Sequence, residues 1–123
     1  MLKGCGIDLV EISRIKSAWE RFGRRFLERV FTPSEQAYCL ARKRPEESLA
    51  ARFAAKEAVA KALGLGLGRF SWQEIEIVRS KNGRPKVRLT GAAQAQAEVL
   101  GVGQILISLS HTHEYAVAQA VAQ

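Results

Sequence analysis

Apolar and polar positions change rhythm several times along this chain, and each change marks an element. From Leu2 to Ile12, apolar residues alternate with small or polar ones, which predicts a strand. Gly4 and Gly6 within it leave space for a close backbone neighbour. Asp8 shares the face of Gly4, Gly6 and Val10, opposite Cys5, Ile7 and Leu9. Ile15, Trp19, Phe22, Phe26 and Val30 then follow the spacing of a buried helical stripe, with Ser13 as its N-cap and Gly23 as a break. Thr32-Pro33-Ser34-Glu35 predicts a helix start with a capping box and a first-position proline. That helix carries Tyr38, Cys39 and Leu40 and ends in Arg42-Lys43-Arg44, whose charge complements a helix C-terminus.

A longer helix is expected from Pro45 to Leu63, with Glu46 and Glu47 in its first turn. Its stretch from Arg52 onward is rich in alanine and free of glycine and proline. Phe53, Glu57 and Lys61 recur every fourth residue and share one stripe. Glu57 before Lys61 is also the favourable order for an ordinary surface ion pair, worth only ~0.3–0.5 kcal/mol. Gly64-Leu65-Gly66-Leu67-Gly68 ends this helix. Phosphate-cradling glycine loops precede a helix, so this one reads as a C-cap. Trp72 to Arg79 alternates with Ile75 and Ile77 inward, Asn82-Gly83 predicts a type I′ hairpin, and Lys86 to Leu89 is the return strand. Thr90 caps a short helix from Gly91 to Leu100, stopped by Gly101. Two final strands, Ile105 to Ser110 and Tyr115 to Val121, flank His111-Thr112-His113-Glu114. The sum is a single α+β domain over residues 1–123, with helices in the first half packed on an antiparallel sheet.

Composition narrows the chemistry. A chain that is 47% hydrophobic and 25% charged is that of a globular protein. Nineteen lysines and arginines against 12 acids leave a charge of +7. That excess favours an anionic partner: nucleic acid, a phosphorylated cofactor, an acidic protein or an anionic membrane. Two cysteines, Cys5 and Cys39, make neither a disulfide framework nor a four-ligand zinc site. No secretory signal is expected at the start, and no apolar run approaches a membrane span, so a reduced, cytoplasmic protein is expected. Arg14, Arg21 and Arg24, joined by Arg25, form either a solvated basic face or a docking surface for an acidic helix or a phosphate backbone. Asp8 is either an exposed strand position or a carboxylate held on a rigid element, as a metal site requires.

Four separated segments resemble the bacterial holo-acyl-carrier-protein synthases, the small type of 4′-phosphopantetheinyl transferase. They are Gly6-Ile7-Asp8-Leu9-Val10-Glu11-Ile12, Arg52-Phe53-Ala54-Ala55-Lys56-Glu57-Ala58-Val59-Ala60-Lys61-Ala62, Asn82-Gly83-Arg84-Pro85, and Ser108-Leu109-Ser110-His111-Thr112 through Tyr115-Ala116-Val117-Ala118. The first two are the more specific, and together the four cover essentially the whole chain. Leu65 stands where the family often carries Gly-Thr-Gly after the helix. The resemblance implies transfer of the phosphopantetheine arm of coenzyme A to a serine of apo-acyl carrier protein, in fatty acid biosynthesis, with release of adenosine 3′,5′-bisphosphate. It implies Asp8 and Glu57 as ligands of Mg²⁺, an ion that takes one or two carboxylates together with phosphates and water. Lys61 would meet the phosphate or leaving-group charge. Lys43 and Arg44 would bind the 3′-phosphate of coenzyme A, with Phe53, Gly83, Arg84, Pro85 and His111 about the same co-substrate. Arg14, Arg21 and Arg24 would dock the acidic carrier protein. The family also implies a homotrimer with active sites between protomers.

Three other readings compete. A nucleic-acid-binding module explains the charge but carries no zinc-finger or RNA-recognition signature and leaves Asp8 and Glu57 idle. A Mg²⁺-dependent phosphohydrolase uses similar carboxylates, with water in place of the serine. A noncatalytic carrier-binding scaffold makes the two acids a coincidence.

Overall fold

An alanine-rich helix enclosed by other elements forms the centre of the molecule. The computed structural model describes residues 1–123. This central helix, α4 (Pro45–Ala62), follows β1 (Gly4–Glu11), α1 (Ile12–Phe22), α2 (Arg24–Val30) and α3 (Pro33–Leu40). After it come β2 (Ile75–Arg79), β3 (Pro85–Leu89), α5 (Gly91–Leu100), β4 (Ile105–His111) and β5 (Tyr115–Ala122). Leu49, Ala50, Ala54, Ala55, Ala58 and Val59 of α4 are fully buried. A helix buried on most sides has no single apolar stripe, and small side chains let several neighbours approach it at once.

An antiparallel sheet of order β1-β5-β4 lies against α4. Ala116, Ala118, Ala120 and Ala122 of β5 alternate inward, all buried. On β1, Gly4, Gly6, Asp8 and Val10 face the helix, and Cys5, Ile7 and Leu9 face away. The glycines are required by distance: a Cβ on Gly6 would lie 2.1 Å from the Ala58 carbonyl oxygen, and one on Gly4 would lie 2.1 Å from that of Ala62. Backbone meets backbone along this seam. A separate β2-β3 hairpin packs near the other flank of α4. It is tied there by Lys56, fully buried, whose ammonium bonds the Ile75 carbonyl at 2.6 Å and the Glu35 carboxylate at 2.8 Å. Burial lowers the Lys56 pKa, and the Glu35 charge pulls it back up. Glu35 also accepts from Ile77 N and Thr32 N, so α3, α4 and β2 share one satisfied polar node.

Several boundaries differ from those expected, for local reasons. α1 begins at Ile12 rather than after Ser13, because Ile12 N donates to the Glu114 carbonyl and the β4–β5 turn does the work of a cap. Phe22, the last residue of α1, is half exposed and leaves the buried stripe, while beyond the break at Gly23 (φ 58°) Phe26 and Val30 stay on the core, joined by Leu27. The capping box at Thr32 forms as expected, but α3 stops at Leu40, leaving Arg42-Lys43-Arg44 in the connection to α4. Trp72–Glu74 is a 3₁₀ turn rather than strand, with its own Ser71–Glu74 capping box. The hairpin forms, but not through a two-residue type I′ turn. Only glycines have positive φ, and the Asn82 side chain instead accepts from Arg84 N within a longer loop. Thr90 makes no side-chain cap; the Glu74 carboxylate takes the Ala92 N–H in its place. The glycine loop is a C-cap: Gly64 (φ 69°) follows Leu63, and Leu65 N bonds back to the Ala60 carbonyl. No helix is long and apolar enough to cross a membrane.

The β1–α4 seam yields a test. Gly6→Ala places a methyl group against an immovable carbonyl oxygen and is expected to destabilise the fold by about 1–3 kcal/mol or more, as overpacking does. Gly66→Ala, in open space without a positive φ, is the control expected to leave the melting temperature near that of the parent.

Candidate active site

Asp8 is carried opposite Ala118 in the β1–β5 ladder, on the face that meets α4. The same close approach brings it to the Glu57–Lys61 stripe. Lys61 Nζ bonds the Ile7 carbonyl at 2.9 Å and Asp8 Oδ1 at 3.3 Å. Lys61 therefore pairs across to the strand, and the i,i+4 pair with Glu57 does not form. Burial raises the Asp8 pKa, with Lys61 opposing. Glu57 is raised as well, first by burial and then by the charge of Asp8. Two carboxylates thus share a half-buried cleft, and one of them lacks a cation of its own. The cleft is lined by Asp8, Glu57, Phe53, Arg14, Phe26 and Tyr115, among others. No cluster of three or more potential protein ligands for a metal is present.

A second cavity lies at the other flank of α4 and shares no lining residue with the first. Arg42, Lys43 and Arg44 enter it from the α3–α4 connection, Arg52 from α4, Arg79 from the end of β2 and His111 from the end of β4. Tyr38 is its floor, with the guanidinium groups of Arg52, Arg42 and Arg79 at 4.0, 5.2 and 5.3 Å from the ring centre. Arg52 is only 6% exposed, yet its Nε has no hydrogen-bond partner. An adjoining groove runs between the hairpin and β4 and includes Arg84 and Pro85. Such a concentration of cations around one concavity makes its potential positive and favours an anion. Gly83 forms the hairpin bend with φ 84° and does not line either cavity.

The predicted residues therefore fall into two groups within one chain. Asp8, Glu57, Lys61, Phe53 and Arg14 gather on one side, and Lys43, Arg44, His111, Arg84 and Pro85 on the other. Phe53, expected about the co-substrate, stacks on Trp72 at 5.1 Å and borders the carboxylates. Arg21 and Arg24 are exposed: Arg21 lies over the Phe22 ring and Arg24 makes a surface pair with Glu28 at 3.9 Å. Sequence reasoning did not pick out Tyr38, Ser48, Arg52 or Arg79. Arg52 carried a signal: no acid stands within one helical turn of it, so its charge needs a partner from outside the helix. Arg79 carried none.

Residues 4–120 match the 4′-phosphopantetheinyl transferase superfamily. The holo-[acyl-carrier-protein] synthase of Moorella thermoacetica is 61% identical over 118 residues, covering 96% of this chain and 91% of that protein. The crystal structure of the Neisseria meningitidis holo-[acyl-carrier-protein] synthase superposes with a TM-score of 0.90 at 35% identity, covering 100% of this chain and 99% of that one. The Helicobacter pylori enzyme, solved in complex with coenzyme A, gives a TM-score of 0.85 at 34% identity, covering 97% and 99%. The chain belongs to the bacterial holo-[acyl-carrier-protein] synthases of the 4′-phosphopantetheinyl transferase superfamily.

Proposed function

We propose that the carboxylate cleft and the basic cavity are two halves of one active site. The chain transfers the 4′-phosphopantetheine arm of coenzyme A to a serine of apo-acyl carrier protein and releases adenosine 3′,5′-bisphosphate. The observation that carries the division of labour is charge: two carboxylates beside one lysine on one side of α4, and five arginines and lysines around one carboxylate on the other. Coenzyme A has a 3′-phosphorylated nucleotide, which basic side chains can hold directly, and a pyrophosphate to be broken, which carboxylates can serve only through a bound cation.

The donor set at Asp8 and Glu57 suits Mg²⁺. Two hard carboxylate oxygens fall short of an all-protein cage, and this ion takes its remaining ligands from water and substrate phosphates. Bound there, the metal supplies charge stabilisation to the pyrophosphate under attack. Lys61, half exposed beside Asp8, adds a fixed positive charge for the phosphoryl oxygens. Phe53 gives the cleft an apolar wall. Lys43, Arg44 and His111, with Arg52 and Arg79, hold the 3′-phosphate end, and Gly83, Arg84 and Pro85 shape the nucleotide side.

A homotrimer with sites completed between protomers reconciles the two groups. It is supported by the outward face of the three-stranded sheet, where Ile7, Leu9 and Leu106 are 62%, 64% and 50% exposed. Arg14 borders the carboxylate cleft, and Arg21 and Arg24 extend its charge along α1 and α2, a surface suited to the acidic carrier. A cytoplasmic location accords with two unpaired cysteines.

Intact mass of apo-acyl carrier protein, after incubation with this chain, coenzyme A and Mg²⁺, tests the reaction. A gain of roughly 340 Da, one phosphopantetheine, is expected. Asp8→Ala or Glu57→Ala should lower the rate at least about a hundred-fold, the scale of a lost metal contribution of several kcal/mol. Release of nucleotide with no gain on the carrier would instead mark a phosphohydrolase. The raised carboxyls predict a pH effect. The folded chain holds protons at Asp8 and Glu57 more tightly than the unfolded one, so stability falls as pH rises from the ordinary carboxylate range through the raised one. Glu57→Gln should therefore melt above the parent at neutral pH and converge with it in acid. Mg²⁺ should raise the melting temperature of the parent but not of that variant. Arg14→Glu should weaken carrier binding while leaving coenzyme A binding intact; equal loss of both would refute that docking surface.

A further inference from the structure

Glu47 is the sole carboxylate among the residues lining the basic cavity, where a bare negative charge opposes the binding of phosphate. It is not bare. Its Oε2 lies 2.9 Å from His113 Nδ1 and 3.5 Å from Arg44 Nη1, and its Oε1 lies 3.4 Å from His111 Nδ1. The carboxylate is only 10% exposed and ties together three pieces of chain: the first turn of α4, the α3–α4 connection, and the end of β4 with its turn. The His113 hydrogen bond, followed by the charges of His113, Arg44 and His111, holds the Glu47 pKa below the usual carboxylate range against burial.

Two details give this cluster a direction. The neighbours of His111 Nδ1 are both acceptors, Glu47 Oε1 and the Thr112 carbonyl at 3.3 Å, so Nδ1 carries a hydrogen, and in the imidazolium form the Nε2–H is the donor left for an anionic ligand. The Arg44 side chain is 53% exposed, and the same Nη1 that meets Glu47 also lies 2.9 Å from His113 Nδ1. An arginine this exposed samples many rotamers unless something restrains it, and restraint before binding removes that entropy cost.

We propose that Glu47 is a positioning residue for the phosphate-binding cations: through Oε2 it restrains Arg44, and through Oε1 it fixes the imidazole of His111, so that both meet the 3′-phosphate already aligned. The inference rests on the reading of this cavity as the 3′-phosphate site. It assigns Glu47 no contact with the reacting atoms, and His113 serves as a hydrogen-bonding partner of Oε2.

The experiment is calorimetric titration of adenosine 3′,5′-bisphosphate into the full-length parent, Arg44→Ala, Glu47→Ala, the near-isosteric Glu47→Gln, and the Arg44→Ala/Glu47→Ala double variant. Steady-state assays with coenzyme A and with 3′-dephospho-coenzyme A accompany it. Loss of the carboxylate should weaken the bisphosphate about ten-fold, the worth of one charge-assisted contact. It should raise KM for coenzyme A with kcat little changed, and the penalty should shrink for the dephospho form. The double variant should bind less weakly than the product of the two single losses, because Glu47 acts in part through Arg44. Parent-like or tighter binding by both Glu47 variants, with Arg44→Ala impaired, would overturn the positioning role and leave the cavity reading standing. Unchanged binding by Arg44→Ala would overturn the cavity reading itself and the inference with it. Equal penalties for the phosphorylated and dephosphorylated co-substrates would mark general damage to the pocket and also overturn the role.

Discussion

The contact on which the molecule depends is the one between the backbone of β1 and the backbone of α4. Nothing but hydrogen fits on the strand side at Gly4 and Gly6, and alanine dominates on the helix side. The geometry explains why the next inward residue on the strand, Asp8, reaches the helix stripe of Glu57 and Lys61 at all. A larger residue at Gly6 would separate the two elements and with them the two carboxylates. The packing of the core and the assembly of the site are thus one constraint, expressed at successive positions along one strand face.

The opposite flank is organised by a different kind of interaction. Lys56 and Glu35 are buried without a path to water, and each is surrounded by hydrogen-bonding groups. Burying such a pair is not a strong source of net stability, because desolvation offsets much of the attraction. Its value here is registry. The node fixes where β2 leaves the helix, and so where Arg79 and the hairpin stand relative to Arg52. Adjacent residues of α4 carry opposite assignments as a result: Lys56 is structural and Glu57 faces the cleft, while Arg52 enters the basic cavity and Phe53 the acidic one.

Much of this was legible in the sequence because it is local. The Thr32 capping box, the stop at Gly101, the glycines of β1 and the alternation of Ile75 and Ile77 each depend on a few neighbouring residues, and each appears in the structure. What could not be read depends on distant partners. The cap of α1 comes from Glu114, and that of α5 from Glu74. Phe22 left its stripe where α1 ends at the Gly23 break, a boundary that periodicity run across it does not register. In the cleft, Asp8, Glu57 and Lys61 were singled out by the resemblance of their two segments, since each alone reads as an ordinary strand or helix-surface position. Tyr38 and Arg79 look ordinary until folding stacks them together. Glu47 was visible only as a favourable charge in a first helical turn, and that reading is correct but incomplete.

Electrostatics then links the two halves. The chain's net charge of +7 is not spread evenly, since the one cleft with raised carboxyls lies on the same molecule as a cavity ringed by guanidinium groups. Left alone, neither arrangement is favourable: the acids repel each other in a partly desolvated cleft, and the cations crowd one aromatic ring. Each becomes favourable in the presence of the opposite charge. A dianionic nucleotide relieves the cavity, and a divalent cation relieves the cleft. A co-substrate carrying several phosphates meets the demand of the cavity directly, and its pyrophosphate could approach the acidic cleft only with a cation between them. The fold therefore holds an acidic and a basic surface apart on one molecule, kept in place by the glycine seam on one side of α4 and the buried lysine on the other.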